Sequence, residues 1–331
     1  MSRTLISRRD VVVGAVGLAM ASGGSNIVHA QSLFSAKTIK IVYPFAAGNT
    51  GDSIARILGM QMQRILGATV IIENRTGAAG RIGTQSVVRA EPDGTTLLFA
   101  PLPVISIYPH SYDKLGYDPF TELQPISQIA LFDVSFVAGP KPGLKTLPDL
   151  IEWVRANPSF ATYGSSGSGG IAHLFAVMFA RYAKLNMAHV GYRGSAPAVN
   201  DVIAGQIPFA SVSSADCIEL HKAGRAHMLA VSGRSRLALV PEIPTFAEAG
   251  IPIEGTAWYG LYAPAKTAAS LVNSLNSAAV ESISVSSVRE RFEALAVTPA
   301  GTSVEELTRI QREASNLWAP IVAASGFKPD Q

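Results

Sequence analysis

Residues 43–56, YPFAAGNTGDSIAR, place small residues, an amide, a hydroxyl and a carboxylate where a strand gives way to a helix, and the chemistry this favours is anion binding. Ile39, Ile41 and Val42 are apolar and β-branched around Lys40, and Tyr43-Pro44-Phe45 closes the run, which reads as a buried strand stopping at a turn. From Ser53 to Leu66 the apolar residues Ile54, Ile57, Leu58, Met62 and Ile65 keep a helical period, with Asp52 or Ser53 as N-cap. Open N–H groups and the positive end of the helix dipole favour a carboxylate or phosphate there. An ordinary β-α turn has the same local pattern, so the anion reading needs support elsewhere in the chain.

A second small-residue loop, GSSGSGG at 164–170, also joins a strand to a helix. It fails the tests for a catalytic loop. Counted from Gly164, Ser168 stands where a nucleophile elbow needs its second Gly, and no Gly-Lys-Ser/Thr ending makes it a P-loop. Gly77, Gly80 and Gly83 do not form Gly-x-Gly-x-x-Gly. What remains is a run of N–H groups and hydroxyls suited to a carboxylate, or else a flexible linker. His173, one turn into the following helix, is a loop-orienting hydrogen-bonding residue, with a metal ligand or a base as the sharper alternatives. His110, His189, His221 and His227 show no metal spacing. Arg193, in GYRGSAP, has a guanidinium fork matching a carboxylate, set against a solvent-facing turn. Asp201 either faces a ligand's ammonium or hydroxyl or stabilises its helix.

The elements that must hold these loops alternate in type. Strands at 39–42, 68–73 and 95–100 enclose helices at 53–66 and 81–90, a β-α-β-α-β order that implies a parallel sheet whose ligands sit beyond the carboxyl ends of its strands. A second unit begins near Leu131, with strands at 134–138, 161–163, 187–190 and 226–232 and a helix at 146–157. Residues 258–262 then read as a strand returning to the first unit, followed by helices at 268–282 and 303–324.

Residues 1–30 read as an export signal. Arg3, Arg8 and Arg9 precede the apolar run 11–21, and Val28-His29-Ala30 offers a cleavage site before Gln31. Residues 7–12 fit a twin-arginine signal, and a Sec route stays open. No Cys sits near the cleavage site, which argues against a lipid anchor. Without this segment, 27 basic and 24 acidic residues become 24 and 23, so the basicity belongs to the signal and the remainder carries +1. No basic stripe with interleaved aromatics points to nucleic acid. Cys217 is the only cysteine, which excludes an intramolecular disulfide and any multi-Cys metal site; it reads as a small buried residue. The 331 residues, 48% hydrophobic and only 15% charged, can build two domains with large cores.

Taken in order, YPFAAGNTGDSIAR, VIIENRTGAAGRIG, PDGTTLLFA, YGSSGSGGIAHL, HVGYRGSAPAVNDVIAGQIPFA, IPTFAEAG and WYGLYAPAKT resemble the receptors of tripartite tricarboxylate transporters, the Bug or TctC-like family. The resemblance implies an α/β fold of two domains, a type II-like periplasmic binding protein in which each domain is a mostly parallel sheet flanked by helices and the ligand lies in the cleft between. It implies crossovers near 131 and 255, so that after the signal peptide at 1–30 the first domain is discontinuous, at 31–130 plus 256–331, and the second is 131–255. The implied ligand contacts are Phe45, Ala47, Gly48, Asn49 and Thr50; Ser165, Ser166, Gly167, Ser168, Gly169 and His173; and Tyr192, Arg193, Ala196 and Asp201. Asn49 stands where the family commonly has Gly, Gly51 where it has Thr, Gly191 where it has Pro, and Pro208 where it often has Asp. From these departures we expect Asn49 to add an amide to the grip, and Gly51 and Gly191 to make room for a bulkier acid.

The expected function is a periplasmic, non-enzymatic receptor without cofactor or metal. It captures a dicarboxylate, tricarboxylate, amino acid or aromatic acid, with neutral nicotinamide-like ligands also open, and delivers it to a membrane permease. The chief donors would be Gly48, Asn49, Thr50, Ser166, Ser168 and Gly169, helped by Arg193. The alternatives are an exported enzyme using His173 and Asp201 as acid and base, and a sensory partner presenting its ligand to a membrane protein.

Overall fold

A computed structural model describes residues 33–141 and 143–327 of the chain, so the signal-like segment 1–30 lies outside the described residues. The first β-α-β-α-β run consists of β1 (Thr38–Tyr43), α1 (Thr50–Leu66), β2 (Thr69–Asn74), α2 (Arg81–Val88) and β3 (Thr96–Pro101). As the periodicity requires, β1 pairs in parallel with both β2 and β3. α1 buries Ile54, Ala55, Leu58 and Met62 completely. Asn49 caps its start in extended geometry, and Gly67 ends it at a left-handed φ of 62°, where a side chain would be strained.

A π-helical turn at Pro103–Ile107 and the short α3 (Tyr108–Ser111) lead to β4 (Leu123–Phe132). Only Asp133 separates β4 from β5 (Val134–Ala138), yet β5 belongs to a different sheet. The second lobe continues with α4 (Leu147–Ala156), β6 (Thr162–Ser165), α5 (Ile171–Tyr182), β7 (Ala188–Gly191), α6 (Ser195–Ala204), β8 (Phe209–Ser213), a 3-10 turn at Ser214–Asp216, α7 (Ile218–Lys222) and β9 (His227–Val231). The chain then returns through β10 (Ala257–Pro264), α8 (Ala269–Ser284), α9 (Ser286–Ala294), β11 (Val297–Pro299) and α10 (Val304–Ser325).

The first sheet has the order β11-β4-β10-β3-β1-β2, and the second β7-β6-β8-β5-β9. In the first, β1 to β4 share one direction and β10 and β11 oppose it; in the second only β5 is reversed. The reversed β5 and β10 are the strands that follow the two passages between lobes. Those passages are stitched together: Val134 N–H donates to Ser232 Oγ and Gly255 N–H to Ser232 O, both at 3.0 Å. The C-terminal helix spans both lobes. It packs on β4 and the π-helical turn of the first, while Trp318 sits 5.8 Å from Phe175 of α5 and Arg181 donates to Ala324 O at 2.8 Å.

Candidate functional site

Thr50, first residue of α1, donates its hydroxyl to Asp216 Oδ1 at 3.0 Å, a contact between lobes at the carboxyl edges of both sheets. β6 and β8 pair in parallel with Ser165 opposite Ser211. The 166–170 loop and the Ser214–Asp216 turn therefore leave the same sheet edge side by side. The strand-loop-helix junctions of the two lobes converge on one cleft, the position at which open α/β sheets bind ligands.

The first loop is rigidly prearranged. Asn49 Oδ1 accepts from Asp52 N–H and from the Tyr43 hydroxyl, each at 3.0 Å, and its Nδ2 donates to Ala46 O at 3.1 Å. Asp52 accepts from Gly48 N–H at 3.0 Å, Asn74 Nδ2 at 2.9 Å and Arg56 Nε at 3.0 Å. Burial pushes the Asp52 carboxyl up, but the bonds from Arg56, Gly48 and Asn74 outweigh it and hold it below its ordinary value. Phe45 is half-buried against Tyr43 at 5.6 Å, whereas Ala47 and Gly48 are exposed. By helix geometry the Thr50 and Gly51 N–H groups find no acceptor within α1.

In the second lobe, Ser165 Oγ donates to Gly167 O at 3.0 Å and so accepts from His189 Nε2 at 2.8 Å. Gly169 N–H donates to His173 Nδ1 at 3.0 Å, which places the His173 proton on Nε2. The two imidazoles stack with centroids 3.8 Å apart. Burial, reinforced by His189, drives His173 down to about 3, and burial drives His189 down to about 4, so both are neutral near pH 7. Both line a side cavity of about 320 Å³, together with Phe327. Ser166 and the exposed Ser168 have no hydroxyl partner among the described residues. α5 starts at Gly170 and α6 at Gly194 without side-chain caps, leaving their first N–H groups open.

In the third loop the Tyr192 hydroxyl donates to Asp201 Oδ2 at 2.6 Å, and burial together with that carboxylate pushes the phenol up to about 12. Arg193 and Ala196 are exposed, and Arg193 forms no ion pair among the described residues. His173 and Asp201 make no hydrogen bond to each other, since each serves its own loop. Among the described residues no group of three His, Cys, Asp or Glu could hold a metal, and no helix is long and apolar enough to cross a membrane. Cys217 is buried beside Ser135 Oγ at 3.1 Å, and burial pushes its thiol up to about 12.

Within the loops, the N–H groups of Gly48 and Gly169, the Ser165 hydroxyl and the Asn49 side chain are hydrogen-bonded inside the protein, and Asn49 shapes the turn. The expectation for the two glycines needs correction. The space at Gly51 is taken by the Tyr43 hydroxyl, and that at Gly191 by Ser168 Oγ; a Cβ at either glycine would collide with them. Neither glycine makes room for an acid. Asn49→Ala is therefore expected to lose the cap and about 1 kcal/mol of stability, within a range of roughly 0.5–2 kcal/mol. An unchanged melting temperature in the ligand-free variant would refute the capping role.

Sequence reasoning did not single out Asp216, which the structure brings to the cleft. Its signal was present: Ser213-Ser214-Ala215-Asp216 is a fourth polar, small-residue link between a strand and a helix.

Two α/β lobes joined by two adjacent passages, with helix starts facing one cleft, define a periplasmic binding protein of the type II-like class. The chain belongs to the tripartite tricarboxylate transporter family receptor (TctC) family, whose pattern matches residues 54–327. Among solved structures it is similar to the periplasmic binding protein BugD, with 28% identity, a TM-score of 0.81, and coverage of 88% of this chain and 98% of that one. MatC from Rhodopseudomonas palustris with bound malate gives 26% identity and a TM-score of 0.81, covering 87% of this chain and 100% of that one. An R. palustris protein with adipate gives 27% identity and a TM-score of 0.84, covering 88% and 98%.

Proposed function

We propose that this chain is a periplasmic solute receptor that captures a small organic acid between its lobes and hands it to a membrane permease of the tripartite tricarboxylate type. The lobes correspond to residues 31–130 with 256–331, and to 131–255, and the first thirty residues direct export. The observation that carries this reading is the meeting of Thr50 and Asp216 across the cleft, beside helix starts whose N–H groups the protein leaves open. Capture requires only that the closed arrangement gains ligand contacts that the open one lacks. Ser166 and Ser168 supply hydroxyls, the starts of α1, α5 and α6 supply N–H groups, and the exposed Arg193 supplies a positive charge. The malate and adipate held by the two R. palustris relatives support a carboxylate ligand. No bond is made or broken; His173 and Asp201, separately engaged, leave an acid-base pair without assembly.

The test is a thermal-shift panel on the protein from Gln31 onward, stripped of copurified ligand. A ligand that binds only the folded state stabilises it by about 2.7 kcal/mol at a hundred times its Kd, so one class of acid should raise the melting temperature saturably. No shift with any acid, or turnover of an acid that binds, would overturn the reading.

A further inference from the structure

Asp216 is an acidic residue that the structure places across the cleft against the start of a helix in the opposite lobe. It ends the turn that follows β8, is half-buried, and takes the Thr50 hydroxyl on Oδ1. Its other oxygen has no partner among the described residues, and no Lys, Arg or His forms an ion pair with it there. On the first-lobe side its charge is felt by two phenols. Burial above all, with a smaller part from the Asp216 charge, keeps Tyr43 and Tyr259 protonated. Just before it in the chain, Ser213 Oγ and the fully buried Ser214 Oγ have no hydrogen-bond partner among the described residues. The carboxyl end of β8 thus brings an uncompensated negative charge and two unsatisfied hydroxyls to the edge that carries the 166–170 loop. A half-buried carboxylate gains from a cation delivered to it, whereas a second anion beside it is disfavoured by like charge.

Building on the receptor reading, we infer that Asp216 selects the ligand: the cleft takes an acid that pairs its carboxylate with a protonated amine, and disfavours a plain dicarboxylate. The ligand carboxylate lies against the open helix starts and the Ser166 and Ser168 hydroxyls. Its ammonium group lies against Asp216 Oδ2 at the carboxyl end of β8. The Thr50 bond to Oδ1 positions the carboxylate for this contact. Selection of this kind uses repulsion as well as attraction, since a dicarboxylate of equal length would bring like charge to Asp216.

Isothermal titration calorimetry on the ligand-stripped protein tests this with matched sets, each dicarboxylate being compared with the α-amino and ω-amino acids of equal chain length. The amino acid of the fitting length should bind about tenfold or more tightly than its dicarboxylate partner. Asp216→Asn, which keeps an acceptor for Thr50 but removes the charge, should weaken the amino acid about tenfold and strengthen the dicarboxylate. Dicarboxylates that bind the parent protein as tightly as, or more tightly than, their amino-acid partners would overturn the inference and leave the receptor reading standing. An affinity ratio unchanged by Asp216→Asn would do the same. Absence of binding by every acid in the panel would remove both.

Discussion

Ser168→Trp is expected to reduce acid binding by at least about a hundredfold while leaving the melting temperature within about 2 °C of the parent. Ser168 is exposed and its hydroxyl has no partner among the described residues, so its loss leaves no buried group unsatisfied. Substitutions at such surface positions usually cost no more than about 0.5 kcal/mol. Binding is another matter. A hydrogen bond from a hydroxyl to a carboxylate contributes about 1.5–3 kcal/mol, and an indole at this position would also fill the mouth of the loop. Gly191→Val attacks the same hydroxyl from the other side, because a Cβ there collides with Ser168 Oγ, and it should reproduce part of the binding defect. Calorimetry with the best ligand of the panel, alongside a ligand-free melt, separates the two effects. Normal affinity in Ser168→Trp would refute the assignment of this loop to the grip.

The alternation of strand and helix was legible because each element states its own period. α1 shows its apolar stripe in consecutive turns, and β5 emerges at 134–138 as the periodicity predicts. β4 did not emerge, because its sequence, LQPISQIALF, interrupts the apolar run with Pro125, Ser127 and two glutamines. Those polar groups are acceptable only through partners remote in sequence. Ser127 Oγ donates to Thr302 O and Gln128 N–H donates to Thr302 Oγ1, both at 2.9 Å. β8, five residues with two serines, was too short to declare itself, and Asp216 went unnoticed with it. The same limit applies to the grip. The loops were visible from their small residues, but which N–H groups they offer depends on Asp52, His173 and Tyr43, whose roles arise only when the chain folds back on itself.

Asp133→Asn is expected to stabilise the protein at pH 8 and to do so much less at pH 4. Asp133 is the single residue between β4 and β5, and it is 8% exposed at the passage between lobes. Burial raises its pKa from 3.8 to about 6, and a hydrogen bond from Thr256, on the returning passage, only partly opposes this. No cation pairs with it among the described residues. The native state therefore favours the protonated carboxyl more than the unfolded chain does. That contribution is fully present below about pH 3.8 and is lost as the pH rises through about 6. About two pKa units correspond to a loss on the order of 2–3 kcal/mol by pH 8, which an amide does not suffer. Carboxylates with lowered values, such as Asp52, lose stability in the opposite direction as the pH falls, but they are common to both proteins and cancel in the comparison. The measurement is the difference in unfolding free energy between variant and parent from pH 4 to pH 8. The difference should grow through the window between 3.8 and 6. A difference independent of pH would mean that the carboxylate is solvated in the folded state. Gly233 leaves no space beyond the Asp133 oxygens, so the isosteric amide fits where a larger residue would not, and a gain at high pH reports charge and not packing.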